Sequence, residues 1–218
     1  MPLTLQEAFA LAARHEAAGR SADARRIYEE ILEALPEHPG ALLKIANQEF
    51  AAGENDRARE RLLCALAAAR QQSLPTQDIW LALAAAHSAA GDGDAARAAI
   101  EEAHAIGKRL KASGATAVAL AVLERCVELA PEDATLRVTL GALLLDANRA
   151  ADAERELERA VSSGADGGET WDNLGLAHRV RGNDEQALIA FQRAAAAAPA
   201  LTPALANLVY ARYTLCEW

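Results

Sequence analysis

An all-α fold built from antiparallel helix pairs is predicted by three features of the sequence. Hydrophobic residues make up 52% of the chain but aromatic ones only 4%, much of the rest being alanine. That composition suits closely packed helices better than a sheet or a core of large side chains. Apolar and small residues recur at i, i+3, i+4 and i+7, one face of a helix. This pattern itself returns at steps near 34 residues. A 218-residue chain of this hydrophobicity is folded.

In chain order, the first unit has Ala8, Leu11, Ala12 and His15 on one helix, Gly19 at the turn, and Ala24, Tyr28 and Ile31 on a second helix before Pro36. The next repeats this as Leu42, Ile45, Ala46 and Glu49, turn Gly53, then Ala58, Leu62 and Ala65. A third reads Trp80, Leu83, Ala84 and His87, turn Gly91, then Ala96, Ile100 and Ala103. Further on stand Arg137, Leu140, Gly141 and Leu144, turn Asn148, then Ala153, Leu157 and Ala160. The stretch from Trp171 to Pro199 is the clearest: Trp171, Leu174, Gly175 and His178, turn Gly182, then Ala187, Phe191 and Ala194.

Gly182 supplies the positive φ that ends a helix, and Asn183 with Asp184 is expected to cap the next. The small pairs Ala12/Ala24, Ala46/Ala58, Ala84/Ala96, Gly141/Ala153 and Gly175/Ala187 mark where paired helices approach. Pro36, Pro131 and Pro199 stop second helices.

Unit starts fall at Leu5, Pro39, Gln77, Ala134, Gly168 and Thr202, giving steps of 34, 38, 57, 34 and 34. The long step is two periods less 11, so one helix between Asp94 and Ala112 has to serve two units. Ala103, Gly107 and Leu110 match a first helix, and Gly114, Ala119, Leu123 and Cys126 the turn and second helix that follow it. About 11–12 helices are expected, with an irregular, merged repeat near 94–130 and two sub-arrays, 1–112 and 113–218. The alternative is one continuous solenoid with a locally elongated hairpin.

The pattern resembles the tetratricopeptide repeat (TPR), whose 34-residue unit carries a W-x₂-L-G-x₂-Y, A-x₃-F, A and P signature. The resemblance spans nearly the whole chain, and His178 stands where that signature has Tyr. It implies a solenoid with a concave groove lined by the first helix of each unit, acting as a protein-interaction scaffold. Its groove places fall here on Phe9, Lys44, Asn47, Phe50, Asp172, Asn173, Leu176, Arg179, Asn207 and Tyr210. Such a mixed lining suits a peptide or partner helix. Asn can donate to and accept from a peptide backbone at once, and Arg can fork onto a carboxylate.

Asn173 and Asn207 hold the sixth place of successive units. That spacing, with the final ALANLVYARYTLCEW, is similar to the repeat region of bacterial O-GlcNAc-transferase-type proteins. The implied alternative is the substrate-recognition region of a larger glycosyltransferase. Leu205, Leu208, Val209 and Leu215 make an apolar last helix with no second helix after it, so a cap or a self-association surface at the C-terminal end is a further alternative.

No catalytic constellation is expected. His15, His87 and His178 share one repeat place and read as packing residues. Asp92 and Asp94 begin like a calcium loop but lack its next ligand and central Gly, and read as a turn with a helix cap. GADGGE at 164–169 has no Gly-Lys-Ser/Thr after it and reads as an inter-repeat loop. No cofactor and no metal are expected. A net charge of −9 disfavours nucleic acid and anionic membranes. With no signal-like start and no apolar run approaching roughly 20 residues, membrane insertion is not expected and a cytoplasmic location is; a bacterial source is what the resemblance to the O-GlcNAc-transferase-type proteins implies. Cys64, Cys126 and Cys216 are expected to be free thiols.

Overall fold

In the computed structural model, which describes residues 3–200 and 202–215, twelve α-helices and no strand are present among the described residues. They are α1 Leu5–Ala17, α2 Ser21–Ala34, α3 Pro39–Ala51, α4 Asn55–Gln71, α5 Gln77–Ala89, α6 Gly93–Ala112, α7 Thr116–Leu129, α8 Ala134–Asp146, α9 Ala150–Ser162, α10 Gly168–Val180, α11 Asp184–Ala197 and α12 Thr202–Thr214. The fold is an all-α helical repeat, and α1, α3, α5, α8, α10 and α12 begin at the six expected unit starts. The chain divides into two compact units, Met1–Ala103 and His104–Trp218, with the boundary inside α6.

The repeat comes from two alternating helix junctions. Inside each hairpin the chain turns through a residue of positive φ: Gly19, Gly53, Gly91, Gly114, Asn148 and Gly182. The next amide then reaches back five residues, as in Arg20 N to His15 O at 2.9 Å and Asn183 N to His178 O at 2.9 Å. This Schellman closure satisfies carbonyls at the end of the first helix. It also decides how the second helix starts. The residue that enters it has ψ near 60°, as at Arg20 (63°), Glu54 (56°), Arg149 (57°) and Asn183 (64°), instead of the extended value a capping side chain needs. The expected Asn183 cap is not formed: no side-chain bond stands there. Before α1, α3 and α8 the backbone is extended and caps do form, from Thr4, His38 and Asp133, whereas before α5 Thr76 has ψ −1° and makes no cap bond. In the third hairpin Asp92 Oδ1 accepts from Ala95 N at 3.2 Å, in keeping with a turn and cap.

In the first unit, Ala12, Ala24, Ile27, Tyr28, Ile31, Ala41 and Ile45 form one buried cluster across α1, α2 and α3, with Phe9 and Leu11 against it. Glu49 takes the repeat place where others have His or Leu and is 1% exposed. Arg61 forks onto it with Nε and Nη2 at 2.9 and 2.8 Å, and Arg25 stands 3.7 Å away.

In the second unit, glycine sets the distance between paired helices. A Cβ on Gly107, Gly141 or Gly175 would lie 2.9, 2.6 or 2.5 Å from Leu123, Leu157 or Phe191. These three pairs share one spacing and one period, so residues 104–112 of α6 pair with α7 as a first helix does with its second. Ala187 is buried on the same seam, and Ala187→Leu is expected to lower stability by about 1–3 kcal/mol through overpacking. An unchanged thermal midpoint would contradict that placement. Arg137 occupies the place of Trp171 and is also buried: Nε and Nη2 donate to Pro131 O at 2.9 and 2.6 Å, and Nη1 pairs with Glu156 at 2.5 Å.

Cys126 is a buried free thiol whose pKa burial pushes up to about 11, while Cys64 is exposed. The thiolate is the reactive species, so raising the pKa removes it. With iodoacetamide at pH 8, peptide mapping should show Cys64 alkylated in the native protein and Cys126 only after denaturation. Equal native rates would contradict this burial. Cys216 lies outside the described residues.

Candidate functional site

Within each unit, successive first helices lie side by side, and a fixed register links them. Residues 28 apart meet in Lys44 Nζ donating to Glu16 at 2.8 Å and Arg179 Nη1 donating to Asn207 Oδ1 at 3.2 Å. Residues 35 apart meet in His104 with Thr139 at 3.1 Å and Asn207 Nδ2 donating to Asp172 Oδ1 at 2.9 Å. The twelfth and fifth places of one first helix thus both reach the sixth place of the next. These three places and the ninth are the ones that the sequence assigns to a groove.

In the first unit, Phe9 is half-buried, its ring 5.5 Å from Tyr28 and 5.0 Å from His38, so it packs as part of the core. Lys44 is held by Glu16, Phe50 is half-buried, and Asn47 is exposed.

In the second unit, six of the assigned residues lie on α10 and α12. Asp172 is buried and receives Asn207; Asn207 in turn receives Arg179. The Arg179 guanidinium lies 5.6 Å from the Tyr210 ring and 5.9 Å from the Phe191 ring. Leu176 packs beneath on the cluster of Ala187, Leu188, Phe191 and Ala211. Asn173 is half-buried beside them. Because Asp172 can only accept, it fixes Asn207 with its amide nitrogen inward and its oxygen toward Arg179. Asp172 and Asn207 thereby position the guanidinium, and the Tyr210 face holds it from the side.

Sequence reasoning missed three residues of this face. His104, Lys108 and Lys111 lie on the last turns of α6, with Lys111 Nζ 2.8 Å from Asp146. Burial foremost, then the charge of Lys108, holds the His104 pKa below the usual histidine value. Counting one 34-residue period back from Ala134 would have found them.

The three histidines of the shared repeat place sit at turns. His15 Nδ1 accepts from Arg20 Nε at 3.0 Å, while His87 and His178 face Asp92 and Glu154 at 3.4 and 3.7 Å. Among the described residues, no group of three or more His, Cys, Asp or Glu side chains could hold a metal ion. No described helix is long and apolar enough to cross a membrane.

Family models described as tetratricopeptide repeat match residues 5–47 and 110–176, one stretch in each unit and together just over half of the chain. Solved structures share the fold. The first TPR of Spaghetti (RPAP3), bound to the HSP90 peptide SRMEEVD, is 16% identical with a TM-score of 0.52, covering 54% of this chain and 93% of its own. MamA 41-end from Desulfovibrio magneticus RS-1 is 18% identical with a TM-score of 0.52, covering 82% of this chain and 86% of its own. The Sgt2 TPR domain from Aspergillus fumigatus is 16% identical with a TM-score of 0.51, covering 54% and 80%. No curated protein matches the sequence significantly. The repeat signature, the helix register and the matched models agree: the chain carries tetratricopeptide repeats in both units and belongs with the proteins built from them.

Proposed function

We propose that the chain is a non-catalytic protein-interaction scaffold that holds a peptide or partner helix along the face of its first helices. The observation that carries this is the α10–α12 constellation, where a positioned guanidinium, an exposed tyrosine and a half-buried leucine stand together on one face. A cation, an aromatic ring and an aliphatic floor within one small area are what a peptide side chain needs for both orientation and burial. The RPAP3 repeat domain, similar in fold, is bound to a peptide. A cytoplasmic setting goes with this reading, since Cys126 is a buried unpaired thiol.

Selection of a randomised twelve-residue peptide library against the full chain tests the proposal. Enriched peptides should share a sequence pattern, compete with one another, and lose affinity on Leu176→Asp or Tyr210→Ala. Val118, exposed on α7, serves as the control position. If no peptide is enriched, or if binders ignore both groove substitutions, the scaffold reading fails.

A second reading is favoured by α12. Val209 is 68% exposed, Tyr210 55% and Leu205 42%, a run of large apolar surface on the last helix. Pairing of two such faces would make a homo-oligomer. Light-scattering mass against concentration, for the full chain and for one ending before Pro203, checks this. Self-association lost on truncation supports it; a full chain that stays monomeric over the whole range rejects it.

A further inference from the structure

We infer that copies of this chain associate head to tail: the exposed face of α12 in one copy lies in the apolar groove between α1 and α2 of the next, with Arg212 set against Asp23 and Glu30. This rests on the self-association reading of α12 above, and it gives that helix a different partner from a second α12.

The groove is a place that the repeat fills elsewhere. It has a volume of about 560 Å³ and is lined by Leu5, Ala8, Leu11, Ile27, Ile31 and Leu35 among others. The first, fourth, seventh and eleventh places of α1 are Leu5, Ala8, Leu11 and His15, each of them exposed or half-buried. In α3 the same places hold Pro39, Leu42, Ile45 and Glu49, and in α10 they hold Gly168, Trp171, Leu174 and His178, all buried. The difference is a preceding second helix: α2 packs on α3 and α9 on α10, whereas among the described residues no helix stands before α1. Leu3 and Leu35, 58% and 47% exposed, extend the apolar surface along the rim. The shape is therefore that of a seat for one more helix.

Helix α12 offers a ridge that fits this seat. Leu205, Val209 and Arg212 follow one another at i, i+4 and i+7 on one side, and all three are exposed. At 13 residues α12 is about 20 Å long, against 13 residues in α1 and 14 in α2. Val209 holds the eighth place of its helix, where Gly141 and Gly175 let Leu157 and Phe191 close in. A Cβ on those glycines would lie 2.6 or 2.5 Å from the facing side chains, so a valine denies α12 the close second helix that α8 and α10 have. Whatever covers this face has to receive a protruding side chain, and a groove lined in part by Ala8 and Ala34 has room for one.

Charge selects which ends meet. Arg212 is the one charged residue of α12, and among the described residues it has no carboxylate within salt-bridge distance. Packing α12 on a second α12 would bring together two such cations and no acid. The groove instead carries Asp23, Arg26 and Glu30 along its α2 edge, at i, i+3 and i+7. Glu30 stands 3.7 Å from Arg26, and Asp23 stands 3.7 Å from Arg20 and 3.4 Å from His15. These are long contacts on the surface, and each carboxylate keeps acceptor sites for another cation. Two grooves face to face would leave both unfilled. Ridge with groove, and lone arginine with acidic edge, match only when unlike ends meet, which is a heterologous contact.

Two variants of the full chain, each with one end blocked, test this by light-scattering mass against concentration. Leu5→Asp blocks the groove and Val209→Asp blocks the ridge, and both positions are exposed. Wild type is expected to gain mass with concentration, and each variant alone to stay monomeric. An equimolar mixture of the two should form a one-to-one pair and go no further, since each supplies the end that the other has lost. Adding Arg212→Glu to the Leu5→Asp chain should weaken that pair by about tenfold or more. Asp23→Lys with Glu30→Lys in the Val209→Asp chain should then restore part of the affinity.

Helical circular dichroism equal to wild type guards against a folding effect, and Leu35→Asp or Leu205→Asp, also at exposed positions, takes the place of a variant that loses it. A Leu5→Asp chain that still self-associates, a mixture that forms no pair, or a pair indifferent to Arg212→Glu overturns the head-to-tail contact and leaves self-association through α12 standing. A wild-type chain that stays monomeric over the whole range overturns both.

Discussion

Arg61→Ala is expected to destabilise the first unit by about 3 kcal/mol, because it strands a buried carboxylate. Glu49 is 1% exposed, and its two oxygens receive Nε and Nη2 of Arg61. Its other cationic neighbour among the described residues, Arg25, stands 3.7 Å away. Removing Arg61 leaves a carboxylate in the core with one long contact, and the dominant cost is that of burying a charge whose partner is gone. The Arg61 pKa is raised, chiefly by the hydrogen bonds to Glu49, which points to the same coupling from the other side.

The repeat itself supplies the control. Leu144 and Ile27 occupy the equivalent places of other units and are buried there. Glu49→Leu with Arg61→Ile should therefore recover most of the loss, because an apolar pair of similar size replaces a buried ion pair at little cost. Hydrogen exchange across α3 and α4 reads the effect locally, which matters because a repeat array need not unfold in one step. Protection factors in those helices unchanged by Arg61→Ala would contradict the role of the pair.

Phe191→Ala should cost about 3–5 kcal/mol, as expected for emptying a fully buried aromatic site. The ring fills the space that Gly175 leaves open and touches the cluster with Leu188 and Ala211. It also backs the guanidinium of Arg179, so this substitution loosens the binding face as well as the core. Phe191→Leu is the informative comparison: Leu123 and Leu157 take the same place opposite Gly107 and Gly141. The expected cost is then below about 1.5 kcal/mol. Urea denaturation followed by circular dichroism checks both, and equal costs for Ala and Leu would show that the Gly175 seam does not depend on filling that volume.

Much of the fold was legible because the repeat is written in local chemistry. The turn residues Gly19, Gly53 and Gly182 need positive φ, and the prolines after second helices forbid continuation, so both junctions of each hairpin can be read from single residues. The failed Asn183 cap shows the limit of that approach. Asn is a good capping residue by type, but after the Schellman turn just before it ψ stands at 64° and no side-chain cap bond forms.

The binding face was legible in position and much less so in role. Places five, six and twelve of each first helix can be assigned by counting, yet which side chains pair depends on the register between neighbouring helices. Asn207 and Asp172 look in the sequence like two groups offered to a peptide, whereas across α10 and α12 they bond to each other and hold Arg179. Phe9 likewise looks like a groove aromatic and packs against Tyr28 and His38. Arg137 falls in the place of a tryptophan by counting, but the partners that let an arginine stand buried there, Pro131 O and Glu156, come from the turn before it and from α9 and are not read from the repeat pattern. His104, Lys108 and Lys111 are missed when the shared helix is read for its packing places, Ala103, Gly107 and Leu110, and not for the groove places between them.

Amide chemical-shift perturbation on the full chain, with a library-selected peptide added, tests most directly whether the first helices form the binding face. The largest shifts are expected on the first helices of the second unit, at Asn173, Leu176, Arg179, Asn207 and Tyr210. Shifts concentrated instead on the outer faces of α9 and α11 would contradict a groove on the first helices.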